Sequence, residues 1–323
     1  MCTAISFLSK DHYFGRNLDL EYCYQEAVTV TPRNFPFLFR MTKPLSNHYA
    51  MIGIATVSDN YPLYYEATNE IGLSMAGLNF PGNAFYAAPT GDKDTIAPFE
   101  LIPWILGQCS CVAEAKTLLE NINIAAIPFS PEFPLSPLHW ILADRNECIT
   151  IEAMKNGIII SNNPVGILTN NPPFDYHMHN LANYLPLSPN TPENTFVPGV
   201  ALFPYSRGMG AIGLPGDLSS ASRFIRAVFT KTHSTKPEEE ASAVGQFFHI
   251  LDSVSMVDGT VRLGEKTEKT VYSCCCNTDK GIYYYTTYEN SQITAVHLYH
   301  ENLNSNQLIS YPLLRKQQIR TEN

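Results

Sequence analysis

The sequence predicts an α+β domain in which mostly antiparallel sheet is covered by helices. Three observations carry that prediction. Short runs of β-branched and apolar residues crowd the N-terminal quarter and return near the C-terminus; helical periodicity falls in paired segments between them; and strands and helices never alternate in the regular βαβ order of a parallel sheet. No internal repeat or low-complexity linker marks a boundary, so residues 1–323 read as one domain. With 45% hydrophobic and 11% aromatic residues, the chain has ample material for a core.

Residues 2–7 read as a strand, 9–12 as a turn and 13–20 as a second strand, so a hairpin folds Gly15-Arg16-Asn17-Leu18-Asp19 back beside Cys2. If Met1 is clipped, which a side chain as small as that of Cys2 permits, thiol and free amine share one residue. An α-amino group titrates near ~7.7–8.0, so at neutral pH its unprotonated fraction can serve as general base to the adjacent thiol. A guanidinium such as Arg16 favours the thiolate, and a carboxylate such as Asp19 can hold the amine by a charge-assisted hydrogen bond. The competing reading of these residues is a small side chain after Met1 and an ordinary surface Arg/Asp pair.

Residues 27–31, 51–57, 64–68 and 73–78 follow as strands, the last two joined by the turn Asn69-Glu70-Ile71-Gly72. Asn79 stands at a strand end before Phe80-Pro81-Gly82, where backbone N–H groups are free of a ladder. Phe99, Ile102, Ile105 and Leu106 have helical spacing, with Pro98 suited to the first turn and Pro103 marking a kink or the true start. Val112, Ala115, Leu118, Leu119 and Ile122 repeat the pattern behind Ser110 as N-cap.

A proline then recurs at every third place from Pro128 to Pro137, a spacing suited to an extended loop, with Phe129, Phe133 and Leu135 between. Such a loop is either a stiff connector capping the core or the wall of a ligand pocket. Residues 139–143, 149–153 and 157–160 form a meander that ends in Leu168-Thr169-Asn170-Asn171-Pro172-Pro173, and residues 174–185 read as helical. His177 and His179 diverge on a helix and read as surface histidines rather than metal ligands.

Residues 205–217 are glycine-rich without a phosphate-binding register. Ser219 or Ser220 caps the next helix, and Arg223 stands in its first turn, where the dipole gives a cation no help. That placement is what an anionic or catalytic partner would explain, although a surface arginine also fits. Residues 238–254 form a further amphipathic helix, and 271–276, 281–288 and 293–299 close the chain as strands. Cys274, Cys275 and Cys276 alternate faces, so they cannot share one metal ion and read as structural.

The formal net charge of −9 and the lack of a basic stripe set nucleic acid aside. No apolar run is long enough for a membrane span and no secretory leader opens the chain, so the expected location is the cytoplasm, with the eight cysteines as thiols.

Cys2, Gly15-Arg16-Asn17-Leu18-Asp19, Met75-Ala76-Gly77-Leu78-Asn79-Phe80-Pro81, Leu168-Thr169-Asn170-Asn171-Pro172 and Gly213-Leu214-Pro215-Gly216-Asp217 with Ser222-Arg223-Phe224 together resemble the conjugated bile acid (choloylglycine) hydrolases, sisters of the penicillin V acylases among N-terminal nucleophile hydrolases. The resemblance runs nearly end to end and takes in Gly281-Ile282-Tyr283-Tyr284-Tyr285. It implies a four-layer αββα sandwich, a homotetramer, no metal or organic cofactor, and hydrolysis of glycine- or taurine-conjugated bile acids. It implies Cys2 as nucleophile and base, Arg16 supporting the thiolate, Asp19 fixing the amine, Arg223 completing the charged network, and an oxyanion hole drawn from the Asn79 N–H and the Asn170 side-chain amide. Placement against the family's pocket loops, with apolar or aromatic character, makes Leu18, Tyr24, Tyr65, Phe129 and Phe133 the expected substrate contacts. A penicillin V acylase is the nearest rival, but such enzymes often carry tyrosine where this chain has Asn79. A non-catalytic steroid-binding or thiol-redox protein on the same fold is the remaining alternative.

Overall fold

The computed structural model describes residues 1–89 and 94–323. The N-terminal part runs β1 (Cys2–Leu8), β2 (His12–Leu20), β3 (Ala27–Thr31), β4 (Met51–Ser58), β5 (Tyr61–Asn69), β6 (Ser74–Asn79) and β7 (Asp94–Ile96). Helices α1 (Leu101–Gln108) and α2 (Val112–Leu119) lead into β8 (Ile122–Ile124), then β9 (Leu138–Ala143), β10 (Cys148–Met154), β11 (Gly157–Asn162) and β12 (Ile167–Leu168). Helices α3 (Phe174–Asn180), α4 (Ser220–His233) and α5 (Glu240–Asp252) precede β13 (Val261–Leu263), β14 (Lys266–Asn277), β15 (Ile282–Thr287), β16 (Asn290–His297) and β17 (Ile309–Pro312).

Two antiparallel sheets result. The first has the order β12-β1-β2-β14-β15-β16 with β13 folded onto β14, and the second β11-β10-β9-β6-β5-β4-β3-β17. Phe7, Phe224, Val244 and Phe247 cover the first sheet's outer face, while its inner face meets Ile52, Ile54, Ala76, Leu78 and Ile141 of the second in one continuous core. On the second sheet's far face, Met51, Met75 and Leu142 pack under Leu101, Ile105, Val112 and Leu119 of α1 and α2. The layers are therefore α, β, β, α. Strands buried on both faces lose their polar alternation, which is why β4 is apolar from Met51 to Ala55 with every one of those positions buried.

The hairpin of β1 and β2 pairs Cys2 with Leu18 and Ala4 with Arg16. Gly15 of that hairpin faces β14, where a Cβ would overlap the Cys274 carbonyl, so only glycine lets the two strands close beside Arg16.

Several expectations need correction. The N-cap of α2 is Cys111, not Ser110; Ser110 instead gives its N–H and hydroxyl to the Glu114 carboxylate, satisfying that side chain from one residue earlier. Ile122 begins β8 rather than ending the helix, and β8 pairs in parallel with β7. Pro103 lies in the first turn of α1, where its missing N–H costs no helix bond, and Pro98 in a separate 3₁₀ turn ahead of it. Helix α3 stops at Asn180 and continues only as a 3₁₀ turn. His179 is exposed, but His177 is buried, because its face of α3 packs under α4. No helix among the described residues is long and apolar enough to cross a membrane.

His12, at the head of β2, is buried with Nε2 2.9 Å from the Ser6 hydroxyl and Nδ1 2.9 Å from that of Thr278. Burial pushes its imidazole from 6.5 down to about 4, with Asp279 opposing. The unfolded chain therefore binds the proton first as pH falls. The stability this neutral ring confers is complete above pH 6.5 and is lost as pH falls through about 4; one proton over that gap is worth about 3 kcal/mol. Urea unfolding from pH 7 to 4 should show that loss, and His12→Gln should flatten the slope by about one proton.

Candidate active site

Strand alternation sorts the first hairpin into two faces. Cys2, Ala4, Arg16 and Leu18 look toward the second sheet, while Thr3, Asn17 and Asp19 look toward α4 and α5, where the Asn17 amide donates to Leu251 O at 2.9 Å. Cys2 is 3% exposed.

Arg16 lies between the sheets and is wholly buried. The β5–β6 ladder covers only Glu66–Thr68 against Ser74–Ala76. Beyond it the strands diverge, and Arg16 fills the gap: Nη1 donates to Gly77 O at 2.6 Å and to Tyr65 O at 3.2 Å. Beneath it lies the buried carboxylate of Glu66, 3.8 Å from Arg16 Nε. Glu66 accepts the Tyr272 hydroxyl at 2.7 Å, the Tyr283 hydroxyl at 2.6 Å and the Ile54 N–H at 3.2 Å. Burial raises the Glu66 carboxyl, and Arg16 and the two tyrosines pull it back. Arg16 Nη2 is buried with no hydrogen-bond partner among the described residues.

Arg223 reaches the same hairpin from the other side. It is buried in the first turn of α4, and its position is explained by its partners: Nη1 donates to Cys2 O at 2.5 Å and Thr3 Oγ1 at 2.6 Å, and Nη2 to Asn170 Oδ1 at 2.7 Å. Asp19 Oδ2 is 4.0 Å away and makes no hydrogen bond among the described residues, while Oδ1 accepts the Thr270 hydroxyl at 2.6 Å. Burial raises the Asp19 carboxyl, and Arg223 opposes it.

Asn170 joins these groups. Its Oδ1 accepts the Cys2 N–H at 2.8 Å as well as Arg223, and its Nδ2 donates to Asn79 O at 2.7 Å. Its own N–H goes to Ser220 Oγ at 2.8 Å. The side-chain amide that the sequence reading assigns to an oxyanion is thus engaged with Asn79 while Met1 is present. Phe80 N–H pairs with Pro137 O at 2.8 Å, which sets the phase of the β6–β9 ladder and turns the N–H and C=O of Asn79 away from β9, toward Asn170. The Met1 ammonium donates to Asp19 O at 2.6 Å and to the Glu268 carboxylate. Burial lowers its pKa, with Cys2 and Asp19 opposing and Arg223 and Arg16 reinforcing.

A cleft opens over the second sheet, with Tyr24, Tyr65, Phe129 and Phe133 in its wall. It also contains Gly77, so Arg16 bonds the carbonyls of two wall residues. The proline-rich segment forms one side. There Phe129 O accepts from Arg40 at 3.0 Å, and the guanidinium sits 5.5 Å from the Phe129 ring centre. Tyr24 meets Phe133 across the mouth with ring centres 6.2 Å apart. Leu18 is not in the wall; opposite Cys2 in the ladder, it is packed between the sheets. Among the described residues no group of three or more His, Cys, Asp or Glu side chains could hold a metal ion.

Sequence reasoning missed Glu66, Glu268 and two buried histidines, His139 with Nε2 2.9 Å from Thr169 O and His177 with Nε2 3.0 Å from Asn170 O. Glu66 had a readable signal, a lone charge inside an apolar strand. Glu268 and the histidines had none.

Face-to-face sheets between helices, with a thiol at the start of an inner strand of the first sheet, are the architecture of the N-terminal nucleophile hydrolases. Relatives carry the assignment further. The chain belongs to the choloylglycine hydrolase family of linear amide C–N hydrolases, whose sequence profile matches residues 2–311. It is 55% identical over 314 residues to a bile salt hydrolase/transferase of Lactiplantibacillus plantarum, covering 97% of each chain. Its structure superposes on a variant of the conjugated bile acid hydrolase of Clostridium perfringens with a TM-score of 0.93 at 37% identity, over 100% of both chains. The penicillin V acylase of Agrobacterium tumefaciens shares the fold, with a TM-score of 0.77 at 17% identity over 96% of this chain and 90% of that one.

Removing the acid beneath Arg16 while leaving the guanidinium would strand a buried charge. Glu66→Leu should cost about 3–5 kcal/mol in urea unfolding, whereas Tyr272→Phe, which removes one hydroxyl from the carboxylate, should cost about 1 kcal/mol.

Proposed function

We propose that this chain hydrolyses the amide bond of glycine- or taurine-conjugated bile acids, with Cys2 as nucleophile after loss of Met1. The observation that carries the reading is the 2.8 Å contact from the Cys2 nitrogen to Asn170 Oδ1, which Arg223 also grips. Once Met1 is gone, that nitrogen is a primary amine already held beside its own thiol. Asp19, with one carboxylate oxygen free of hydrogen bonds among the described residues, is the group to fix it, and Arg16, buried on the Cys2 face, the group to favour the thiolate.

In this mechanism the amine takes the thiol proton and Sγ adds to the amide carbonyl, whose π electrons move to oxygen. The Asn79 N–H and the Asn170 amide stabilise that oxyanion, which requires Asn170 Nδ2 to exchange the Asn79 carbonyl for substrate. Collapse breaks the C–N bond as the α-ammonium protonates the departing glycine or taurine. Water, deprotonated by the same amine, then hydrolyses the thioester and releases the free bile acid. A thioester can also pass its acyl group to a nucleophile other than water, and the Lactiplantibacillus relative is named a hydrolase/transferase.

The cleft supports a flat apolar substrate, since Tyr24, Tyr65, Phe129 and Phe133 line it; Cys2 lies outside its wall, behind Tyr65 and Gly77, whose carbonyls Arg16 holds. Leu18 would act by packing beside Cys2 rather than by lining the cleft. No step calls on a metal or organic cofactor.

Assembly as a homotetramer in the cytoplasm completes the reading. The arm after α3 exposes Leu185, Phe196, Phe203, Tyr205 and Ile212, an apolar surface suited to a second copy of the chain. Eight free thiols fit a reducing compartment.

Methionine-free protein should release glycine from glycocholate and taurine from taurocholate faster than it cleaves the phenoxyacetyl amide of penicillin V. Cys2→Ala should be inactive, and Asn170→Ala should lose about 10²–10³-fold in kcat; retention of either activity defeats the mechanism. Light scattering should give four times the chain mass, with the double variant Phe203→Ser, Tyr205→Ser shifted to smaller species; a monomeric wild type would remove the assembly.

A further inference from the structure

The segment that carries Asn170 leaves β12 at Leu168, so the carbonyls of Thr169 and Asn170 lie beyond any strand ladder. Each is met by a buried histidine. His139 Nε2 is 2.9 Å from Thr169 O, and its Nδ1 is 3.1 Å from Glu152 Oε1, which also accepts the Phe174 N–H at 3.0 Å. His177 Nε2 is 3.0 Å from Asn170 O. Both histidines have no exposed surface.

Each ring also touches the neighbour of an active-site residue. Phe80, which follows Asn79, stacks on His139 with ring centres 4.2 Å apart and planes at 7°. Phe224, which follows Arg223, stacks on His177 at 4.7 Å and 21°. His139 thus spans the Asn170 segment and the Asn79 strand end, and His177 spans the Asn170 segment and the Arg223 helix. We propose that His139, with Glu152, and His177 are positioning residues that set the Asn170 amide against Cys2, Asn79 and Arg223, and thereby govern turnover rather than substrate affinity.

Hydrogen-bond chemistry fixes the proton positions. A carbonyl only accepts, so both Nε2 atoms carry hydrogen. His177 Nδ1 is buried with no partner among the described residues, so this ring is the neutral Nε2–H tautomer, in keeping with the lowering of its pKa by burial. His139 and Glu152 share one proton across their contact, as imidazolium with carboxylate or as imidazole with carboxylic acid. Neither histidine enters the cleft wall. Asn170 makes three side-chain contacts of 2.7–2.8 Å, and a misplacement of about 1 Å in such a group can cost ~10²-fold in rate.

The inference rests on the amide-hydrolase reading, so its test has an arm that needs no substrate. In nitrogen-15 spectra of the imidazoles, His177 should carry its proton on Nε2 alone and His139 on Nε2 at least; an Nδ1–H tautomer of His177 overturns the clamp. On glycocholate, counted per titrated Cys2, His177→Leu should lower kcat by ~10–100-fold with KM within ~2-fold, and His177→Gln, whose amide can donate in place of Nε2–H, should recover to within ~3-fold. His139→Gln should lower kcat as His177→Leu does, because one terminal amide cannot replace both ring nitrogens, which bond Thr169 O and Glu152. Unchanged kcat in His177→Leu and His139→Gln, with thermal stability reduced, assigns the histidines to the core alone and defeats the proposal. A wild type that cleaves no conjugate defeats the functional reading instead, and the spectra still decide the hydrogen bonds.

Discussion

Two guanidinium groups buried on opposite faces of one hairpin are the constraint around which the molecule is built. A cation in an apolar layer must be met by charge and carbonyl oxygen or it is not tolerated. Arg16 meets this demand with Glu66 and the carbonyls of Tyr65 and Gly77, so the second sheet has to open between β5 and β6. Arg223 meets it with the Cys2 carbonyl, Thr3, Asn170 and Asp19, so α4 has to start where its first turn overhangs the beginning of β1. Register, layer spacing and helix placement follow from pairing these charges, and Cys2 lies between them.

The strands that were legible in the sequence are those whose β-branched runs are bounded by turn residues. The hairpin of β1 and β2, the Asn79 strand end and the β9–β11 meander all lie within a residue or two of where the pattern puts them. What was not legible has a physical reason in each case. β7, β8 and β13 are three residues long, too short for a period to register. β17 ends in Pro312 at a sheet edge, where proline is allowed but argues against a strand on paper. His177 looked like surface because helical spacing shows which residues share a face, not what that face packs against.

The site divides along the same line. Cys2, Arg16, Asp19, Asn79, Asn170 and Arg223 could be nominated because motif resemblance names residues one at a time. The acid under Arg16 and the rings behind Asn170 act through tertiary contacts, which carry no local spacing. The cleft was half legible: aromatic residues between regular prolines suggested a wall, and Tyr24, Tyr65, Phe129 and Phe133 line it. Leu18 differs because it packs into the core between the sheets rather than into the wall.

Met1 occupies a definite seat, its ammonium gripped by Asp19 O and Glu268 while the nitrogen of Cys2 is an ordinary peptide group donating to Asn170. The buried arginines, the asparagine bridge and the sandwich itself are all complete with that extra residue in place. On the mechanism proposed above, assembling the architecture and switching on the chemistry are separate events. On that mechanism an untrimmed chain would hold its shape yet lack a primary amine on Cys2, and cutting one bond would supply it.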